Sequence, residues 1–135
     1  MNGQLLYLDS SAILKIVISE PESKSLFELL GHWENRVSSE LARTEVLRAL
    51  RRAGVTAAQF RRGQKTLDRI GLIPVDHRVL SEAALLKPIT LRSLDAIHLA
   101  TALSLGEELA AVVTYDTRLA LAAVGAKATV WSPGA

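Results

Sequence analysis

The chain has 135 residues, of which 49% are hydrophobic, and it contains no cysteine. A chain of this size can bury a sizeable core, so we predict a single domain over residues 1–135. The lack of cysteine excludes thiolate metal sites, cysteine nucleophiles and disulfides. No apolar run reaches the length of about 18 residues that a membrane span needs, and the first residues do not form a secretion signal. We therefore expect a cytoplasmic protein.

Short apolar runs alternate with helical patterns along the chain. Five runs are predicted to form strands: residues 5–8, 36–38, 71–75, 110–114 and 128–131. The segments between them predict helices over about residues 11–18, 19–32, 39–53, 56–69, 76–88, 93–106 and 117–124. Several strands are too continuously apolar to be half-exposed. This alternation predicts an α/β fold with a parallel sheet that helices cover on both faces.

Capping signals support several of these helices. Pro21 stands where the first turn of the second helix would tolerate a missing N–H. Thr56 and Gln59 have the spacing of a capping box, Asp76 can cap the helix that Pro88 would close, and Glu40 also lies near an element end. We interpret Asp76 and Glu40 as capping or solvated residues.

The formal net charge of +2 is unevenly distributed. Residues 43–69 contain eight basic and two acidic residues, a net charge of +6, so the rest of the chain carries −4. A cationic segment of this density fits contact with a nucleic-acid backbone, but basic helix faces in solvent are also common. Charge alone leaves both interpretations open.

Residues 91–103, LRSLDAIHLATAL, predict an apolar helix with a carboxylate in its first turn. A helix without a broad polar face should be buried, where an unpaired charge is costly. If Ser93 is the N-cap, free N–H groups and the helix dipole favour Asp95 by roughly 0.3–1 kcal/mol. Asp95 taken alone is explained equally well as a capping charge or as a functional one.

Three further acids are predicted near the same edge of the sheet as Asp95. Asp9 directly follows one predicted strand and Asp116 comes one residue after another, where ligand crevices lie in open α/β sheets. Glu45 lies one turn into its helix. Each has a structural alternative, because Asp9 and Asp116 could be helix caps and Glu45 could pair with Arg48 or Arg52 on a solvated face.

Four converging carboxylates would need protons or a shared cation. Two carboxylates about 5 Å apart repel by roughly 3 kcal/mol at an effective dielectric constant of about 20. Oxygen ligands without cysteine or a spaced histidine pair select hard ions such as Mg²⁺ or Mn²⁺. Such a site suits phosphodiester cleavage, and the neighbouring arginines would attract a polyanion.

Four stretches together resemble, in order and spacing, the PIN-domain ribonucleases of the VapC toxin family: LYLDSSAILKI, SSELARTEVLRALR, LRSLDAIHLATAL and VVTYDTRLALAAVGAKATVW. The likeness spans nearly the whole chain. It implies a three-layer α/β/α PIN-like domain with a central parallel sheet of about five strands. It also implies a metal-dependent endoribonuclease that uses Mg²⁺ or Mn²⁺.

The resemblance assigns roles to particular residues. Asp9, Glu45, Asp95 and Asp116 match the acidic quartet of the family. The first three would be the main metal ligands, and Asp116 would bind a second ion directly or through water. Ser11 and Thr114 match hydroxyl positions beside the strand ends, where they could hold a carboxylate or a metal-bound water.

The resemblance also implies partners, namely an RNA substrate, a second copy of the chain in a homodimer, and a VapB-type antitoxin that inhibits the toxin. The basic residues fit either an RNA groove or the surface that meets an acidic antitoxin segment. Six arginines are candidate contacts with substrate or antitoxin: Arg43, Arg48, Arg51, Arg52, Arg92 and Arg118. Arg92 and Arg118 could instead balance the acids.

Other residues have two possible interpretations. His98 could reach the acidic site, but we favour a buried or hydrogen-bonded core histidine. Trp33 and Trp131 are interpreted as packing residues rather than stacking platforms for bases.

Rival functions differ in their sequence requirements. A haloacid-dehalogenase-type phosphatase needs a second Asp where Ser11 stands, and a receiver domain needs an acidic pair and a late lysine that we do not find. The remaining alternative is a catalytically weak PIN-like module that binds nucleic acid, mainly in a DNA-binding complex with its antitoxin.

Overall fold

The structure, a computed structural model, describes residues 3–135. Within this range, five parallel strands form one sheet: β1 Leu5–Leu8, β2 Arg36–Ser39, β3 Gly71–Ile73, β4 Leu109–Val113 and β5 Val130–Trp131. Their order across the sheet is β3-β2-β1-β4-β5. The seven α-helices of this range are α1 Ser10–Val17, α2 Ser23–Leu30, α3 Leu41–Arg52, α4 Ala57–Asp68, α5 His77–Ala84, α6 Ser93–Leu103 and α7 Thr117–Gly125.

Helices cover both faces of the sheet because alternate strand residues are apolar on each side. Leu6 and Leu8 of β1 belong to a core that contains residues of α1, α2, α3 and α4. Tyr7, between them, packs on the other face with Ala102 of α6 and Val112 of β4. The predicted three-layer α/β/α architecture with a five-stranded parallel sheet is therefore confirmed. No helix within residues 3–135 has the length and apolarity needed to cross a bilayer.

The strand order creates a crevice between β1 and β4. Chain connections leave these two neighbouring strands in opposite directions across the sheet, which makes their carboxyl ends the switch point of the fold. Asp9 follows β1 and Asp116 follows β4 after two intervening residues. The topology thus brings two of the predicted acids to adjacent positions.

Several helix boundaries differ from the sequence-based predictions. Helix α2 begins only at Ser23, because its hydroxyl accepts the N–H of Glu20 and donates to the carbonyl of Lys15, which places Pro21 in the preceding turn. Helix α5 ends at Ala84 rather than near Pro88. Proline disfavours helical conformation in the residue before it, and Leu86 and Leu91 turn back onto the cores formed by α5, α6 and α7.

Capping predictions had mixed outcomes. The capping box of Thr56 and Gln59 at the start of α4 is confirmed, and Asp76 caps α5 by accepting the N–H of Val79. Ser93 was wrong as the N-cap of α6, because it is the first helical residue and Arg92 occupies the cap position without a side-chain capping bond.

Candidate active site

A pocket of about 360 Å³ lies at the carboxyl edge of the sheet. It is lined by residues that follow β1 and β4, by the first turn of α1, and by residues of α3 and of α6 with the residue before it: Asp9, Ser10, Ser11, Glu45, Arg92, Ser93, Leu94, Asp95, His98 and Asp116. We call it the acidic pocket, because all four acids singled out in the sequence line it. Four elements that are distant in the chain thus contribute one carboxylate each.

Asp9 is the most buried of these acids, with 4% of its surface exposed. As the N-cap of α1, its Oδ1 accepts the N–H of Ala12 at 3.0 Å and the hydroxyl of Ser11 at 2.6 Å. Its Oδ2 accepts the hydroxyl of Thr114 at 2.6 Å. Burial raises the pKa of Asp9 above its ordinary value, and these three hydrogen bonds only partly offset that rise.

The two hydroxyls that hold Asp9 are themselves oriented by backbone groups beyond β4. Ser11 Oγ accepts the N–H of Tyr115 at 2.9 Å, and Thr114 Oγ1 accepts the N–H of Asp116 at 3.0 Å. Each hydroxyl can therefore direct its own proton to Asp9, and successive donors polarise one another. In this structure Ser11 and Thr114 hold a carboxylate, which was one of the two uses inferred for them.

We expect Thr114→Val to lower the free energy of unfolding by about 1–3 kcal/mol, because it leaves a buried carboxylate oxygen of Asp9 without its donor. Thr114→Ser is the matched control, since it keeps the hydroxyl and removes one methyl group. Urea denaturation at neutral pH measures both. Equal losses in the two variants would contradict the role given to the hydroxyl.

Glu45 projects from the second turn of α3 and is held by two donors. Its Oε1 accepts the hydroxyl of Ser10 at 2.7 Å and lies 2.6 Å from Nε2 of His98. Partial burial raises the pKa of Glu45, but the hydrogen bonds from His98 and Ser10 lower it by more, so it lies below its ordinary value. The alternative pairing of Glu45 with Arg48 or Arg52 is absent from residues 3–135.

His98 satisfies both interpretations drawn from the sequence. It is a buried core histidine, 2% exposed, and its Nδ1 lies 2.7 Å from the hydroxyl oxygen of Tyr7. It also lines the acidic pocket through its contact with Glu45. The prediction of a buried, hydrogen-bonded histidine is confirmed, and in this case the core position lies directly beneath the site.

One arginine links Asp95 and Asp116. Asp116 is the N-cap of α7, where its Oδ1 accepts the N–H groups of Arg118 and Leu119 at 2.9 and 3.2 Å. Oδ2 of Asp95 lies 3.5 Å from Nε of Arg92, and Oδ2 of Asp116 lies 3.8 Å from Nη2 of the same side chain. Among the described residues that line the pocket, Arg92 is the one Lys or Arg side chain, so it partly balances two carboxylates.

Arg92 does not fully compensate the negative charge of Asp95. Burial raises the pKa of Asp95 above its ordinary value, the charge of Asp116 raises it further, and Arg92 lowers it by less. Oδ2 of Asp95 is buried and has no hydrogen-bond partner within residues 3–135. The contact with Arg92 at 3.5 Å is an ion pair, but it lacks the geometry of a hydrogen bond.

These observations bear on whether the pocket suits a divalent metal. No group of three or more His, Cys, Asp and Glu side chains within residues 3–135 forms a ready cage for an ion. Two of the carboxylates lie beside Arg92, and hydrogen bonds from side chains hold the other two. The chemistry nevertheless fits, because the donors are carboxylate oxygens and the orphaned oxygen of Asp95 is an acceptor that a hard cation would satisfy.

The basic residues predicted as contacts are spread over several surfaces. Arg43 forms an ion pair of 2.6 Å with Asp68 across α3 and α4. The side chain of Arg118 lines a different pocket, beside Leu121. Arg48, Arg51 and Arg52 are exposed on α3 outside the acidic pocket. Of the six candidates, Arg92 alone lines that pocket.

A separate basic groove of about 470 Å³ lies at the opposite edge of the sheet, near the start of β2 and β3. Its basic residues are Arg36, Arg61, Arg62, Lys65 and Arg69, and Phe27 and Ile16 contribute apolar surface. The cationic segment of the sequence is therefore divided between α3 and this groove, which sequence alone did not indicate.

Sequence reasoning missed two residues that support the site, Ser10 and Tyr7. A signal for Tyr7 existed, since a tyrosine in an otherwise aliphatic buried strand needs a partner for its hydroxyl. The tryptophans behave as expected, because the rings of Trp33 and Trp131 pack against each other with centroids 5.6 Å apart.

Comparison with known proteins places this geometry in a family. The family model described as "PIN domain" matches residues 6–125. The chain is 50% identical over 114 residues to ribonuclease VapC46 of Mycobacterium tuberculosis, covering 84% of this chain and 86% of the relative. It is 42% identical over 119 residues to ribonuclease VapC47 of the same species, covering 85% and 87% of the two chains.

Solved structures of lower sequence identity share the fold. A toxin–antitoxin complex from Klebsiella pneumoniae contains a chain that superposes with a TM-score of 0.70 at 22% identity, covering 95% of this chain and 97% of that one. A chain of FitAcB from Neisseria gonorrhoeae superposes with a TM-score of 0.72 at 20% identity and the same coverage. With the family match over most of its length and close relatives of this kind, the chain belongs to the VapC family of PIN-domain proteins.

Proposed function

We propose that the chain is an endoribonuclease that depends on Mg²⁺ or Mn²⁺ and acts as the toxin of a toxin–antitoxin pair. Asp9, Glu45, Asp95 and Asp116 would hold the metal. A bound divalent ion would polarise the scissile phosphate and activate water for its hydrolysis. The names of the ribonuclease relatives support this proposal. The observation that carries it is the meeting of four carboxylates in one pocket.

The residues of the chain would prepare this pocket in advance. Ser11 and Thr114 keep Asp9 in one orientation, and Ser10 and His98 do the same for Glu45. Preorganised groups do not have to be reordered when the substrate reacts. Arg92, whose side chain is 65% exposed, can leave the carboxylates when a metal replaces its charge and then meet a phosphate of the RNA.

The proposal is tested by incubating the purified chain with total RNA in EDTA, and then with Mg²⁺ or Mn²⁺ in excess, followed by sequencing of the RNA ends. We expect defined new ends only when a divalent ion is present. Binding of RNA without any cleavage would favour the alternative, a catalytically weak binding module. Cleavage that persists in EDTA would contradict the metal requirement.

We also propose that an acidic segment of the antitoxin occupies the basic groove. Five basic side chains around an apolar floor of Phe27 and Ile16 suit a peptide with acidic and apolar residues. The Klebsiella protein of the same fold was solved as a toxin–antitoxin complex. The groove lies at the sheet edge away from the acidic pocket, so the RNA path need not cross it.

Charge-reversal variants should show whether RNA binds near the acidic pocket or in the basic groove. We expect Arg61→Glu combined with Lys65→Glu to leave RNA cleavage within about twofold of wild type. Arg48→Glu, one helical turn beyond Glu45, should lower kcat/KM by about tenfold at low salt, because it replaces a cation that would attract the RNA backbone with an anion. Cleavage rates at low salt and about 0.15 M salt check this. A similar loss in both variants would mean that RNA also follows the basic groove.

A homodimer is supported by apolar surface around α5, α7 and the connection 85–92. Large side chains are exposed there, including Ile89 at 92% and Leu85 at 83%. Two neighbouring pockets of about 530 and 540 Å³ share Leu91 and continue this surface to Leu121. Contiguous apolar patches of this kind mark protein interfaces. Sedimentation equilibrium at micromolar concentration measures the association.

A further inference from the structure

A buried chain of polar side chains runs beneath the acidic pocket. Tyr7 of β1 lies at its inner end, with no exposed surface, and its hydroxyl oxygen is 2.7 Å from Nδ1 of His98. Nε2 of His98 is 2.6 Å from Oε1 of Glu45, which also accepts the hydroxyl of Ser10. Side chains from one strand and two helices thus meet at the imidazole of His98.

The donor and the acceptor in each of these buried hydrogen bonds follow from the chemistry of the two partner groups. Oε1 of Glu45 is a carboxylate oxygen and only accepts, so Nε2 of His98 must carry the proton that it shares with Glu45. The hydroxyl of Tyr7 is fully buried, and at 2.7 Å it can donate its proton to Nδ1. The Nε2–H tautomer gives both ring nitrogens of His98 a partner, Glu45 at Nε2 and Tyr7 at Nδ1, and the donor at Nδ1 selects it.

We propose that His98 is a positioning residue that orients Glu45 for metal binding, and that Tyr7 fixes the ring and tautomer of His98. The proposal rests on the proposed function for the metal itself. Both donors of Glu45 go to Oε1, and within residues 3–135 no donor contacts Oε2. The histidine therefore holds one oxygen and leaves the other available as a ligand.

His98 is suited to this role by its position. It lies on α6 one turn after Asp95, so one helix carries both a candidate ligand and the support for another. With only 2% of its surface exposed, it is too deep to touch RNA. Its effect must pass through Glu45, which distinguishes it from a residue that binds substrate.

Two substitutions of His98 separate support of Glu45 from packing. His98→Gln places an amide N–H near the former Nε2, whereas His98→Asn places its amide near Nδ1 and loses the donor to Glu45. We expect His98→Asn to weaken Mn²⁺ binding by about 10–100-fold and His98→Gln to restore most of the affinity. His77→Asn, at an exposed histidine on α5, should match wild type.

Mn²⁺ affinity is measured by electron paramagnetic resonance on folded protein, and RNA cleavage is measured over a range of metal concentrations. We expect the KM for RNA to be unchanged in His98→Asn and kcat to recover at high metal. Wild-type Mn²⁺ affinity in His98→Asn, or equal losses in the Asn and Gln variants, would overturn the proposal.

A second variant covers the case in which His98→Asn does not fold. Tyr7→Phe removes a single oxygen and should weaken Mn²⁺ binding by a few fold. Unchanged affinity in Tyr7→Phe would count against the proposal.

A readout without metal separates this inference from the proposed function. Imidazole ¹⁵N resonances of the wild-type protein should show His98 protonated at Nε2 and bare at Nδ1, and Tyr7→Phe should mix the tautomers. The exposed His32 and His77 are internal references. An unprotonated Nε2 of His98 would overturn the inference even if the protein cleaves RNA. The expected tautomer, in a wild type that neither binds Mn²⁺ nor cleaves RNA, would overturn the proposed function and leave the orientation of Glu45 standing.

Discussion

Asp95→Asn is expected to lower divalent-dependent RNA cleavage by about 10³-fold while the protein stays cooperatively folded. The variant keeps the size of the side chain and removes a charge that would bind the metal. Metal stabilisation of a transition state is worth several kcal/mol, and each 1.36 kcal/mol changes a rate about tenfold. Single-turnover cleavage with excess Mn²⁺ measures the loss.

The same variant should not be less stable than wild type at neutral pH without metal. Burial and Asp116 raise the pKa of Asp95, so its ionised form opposes folding. Asp76→Asn is the matched control, because Asp76 caps α5 outside the pocket and asparagine caps about as well. Full cleavage by Asp95→Asn would reject its role as a metal ligand.

Thermal stability should show a metal effect that grows with pH. At a concentration of about 100 times its Kd, an ion that binds only the folded state adds about 2.7 kcal/mol. For a chain of this size we expect Mn²⁺ to raise Tm by about 5–10 °C at pH 7.5. The gain should be much smaller at pH 5, because protonated carboxyls do not bind metal. Differential scanning fluorimetry in EDTA and in Mn²⁺ measures both.

The sign of the metal-free pH dependence follows from the individual acids. Asp9 and Asp95 have raised pKa values, so their contribution to stability is complete below about 3.8, the ordinary value, and is lost as pH rises through their folded pKa values. Glu45 has the opposite sign, since its lowered pKa favours folding above its ordinary value of 4.5 and that contribution is lost as pH falls through its folded pKa.

Two controls show whether the rise in Tm with Mn²⁺ comes from binding to these carboxylates. Asp95→Asn should lose most of the Mn²⁺ gain at pH 7.5, and an equal ionic strength of KCl should produce little gain in wild type. A shift in Tm that is the same at both pH values would show that Mn²⁺ acts elsewhere than on these carboxylates.

The positions of the acids at element ends were readable from local pattern. Asp9 follows an apolar run and precedes a helical pattern, and Asp116 has the same setting after β4, because strands end where the apolar run stops. The capping box of Thr56 and Gln59 was equally visible, since its two partners are three residues apart. Boundaries set by distant packing were less predictable, as the early end of α5 shows.

The distant side chains that hold the acids could not be predicted from local sequence pattern. Thr114 reaches Asp9 across 105 residues of sequence, and His98 reaches Glu45 across 53. Neither pairing leaves a local pattern, because each depends on which strands become neighbours and on how α6 lies across the sheet. The cationic segment also looked uniform in sequence, whereas packing of α3 against α4 pairs Arg43 with Asp68 and turns Lys65 to the opposite edge.

Periodicity and turn chemistry in the chain were thus sufficient for the α/β class, the order of the elements and the acids at their ends, since these depend on interactions within a few residues. Tertiary packing decided which distant side chains meet the acids, whereas the backbone N–H groups that Asp9 and Asp116 cap and the pairing of Asp95 with Arg92 are local. Whether Asp9 meets the hydroxyl of Thr114, Glu45 the imidazole of His98, or Asp116 the guanidinium of Arg92 depends on side chains that approach only when the sheet and its two helical layers have assembled.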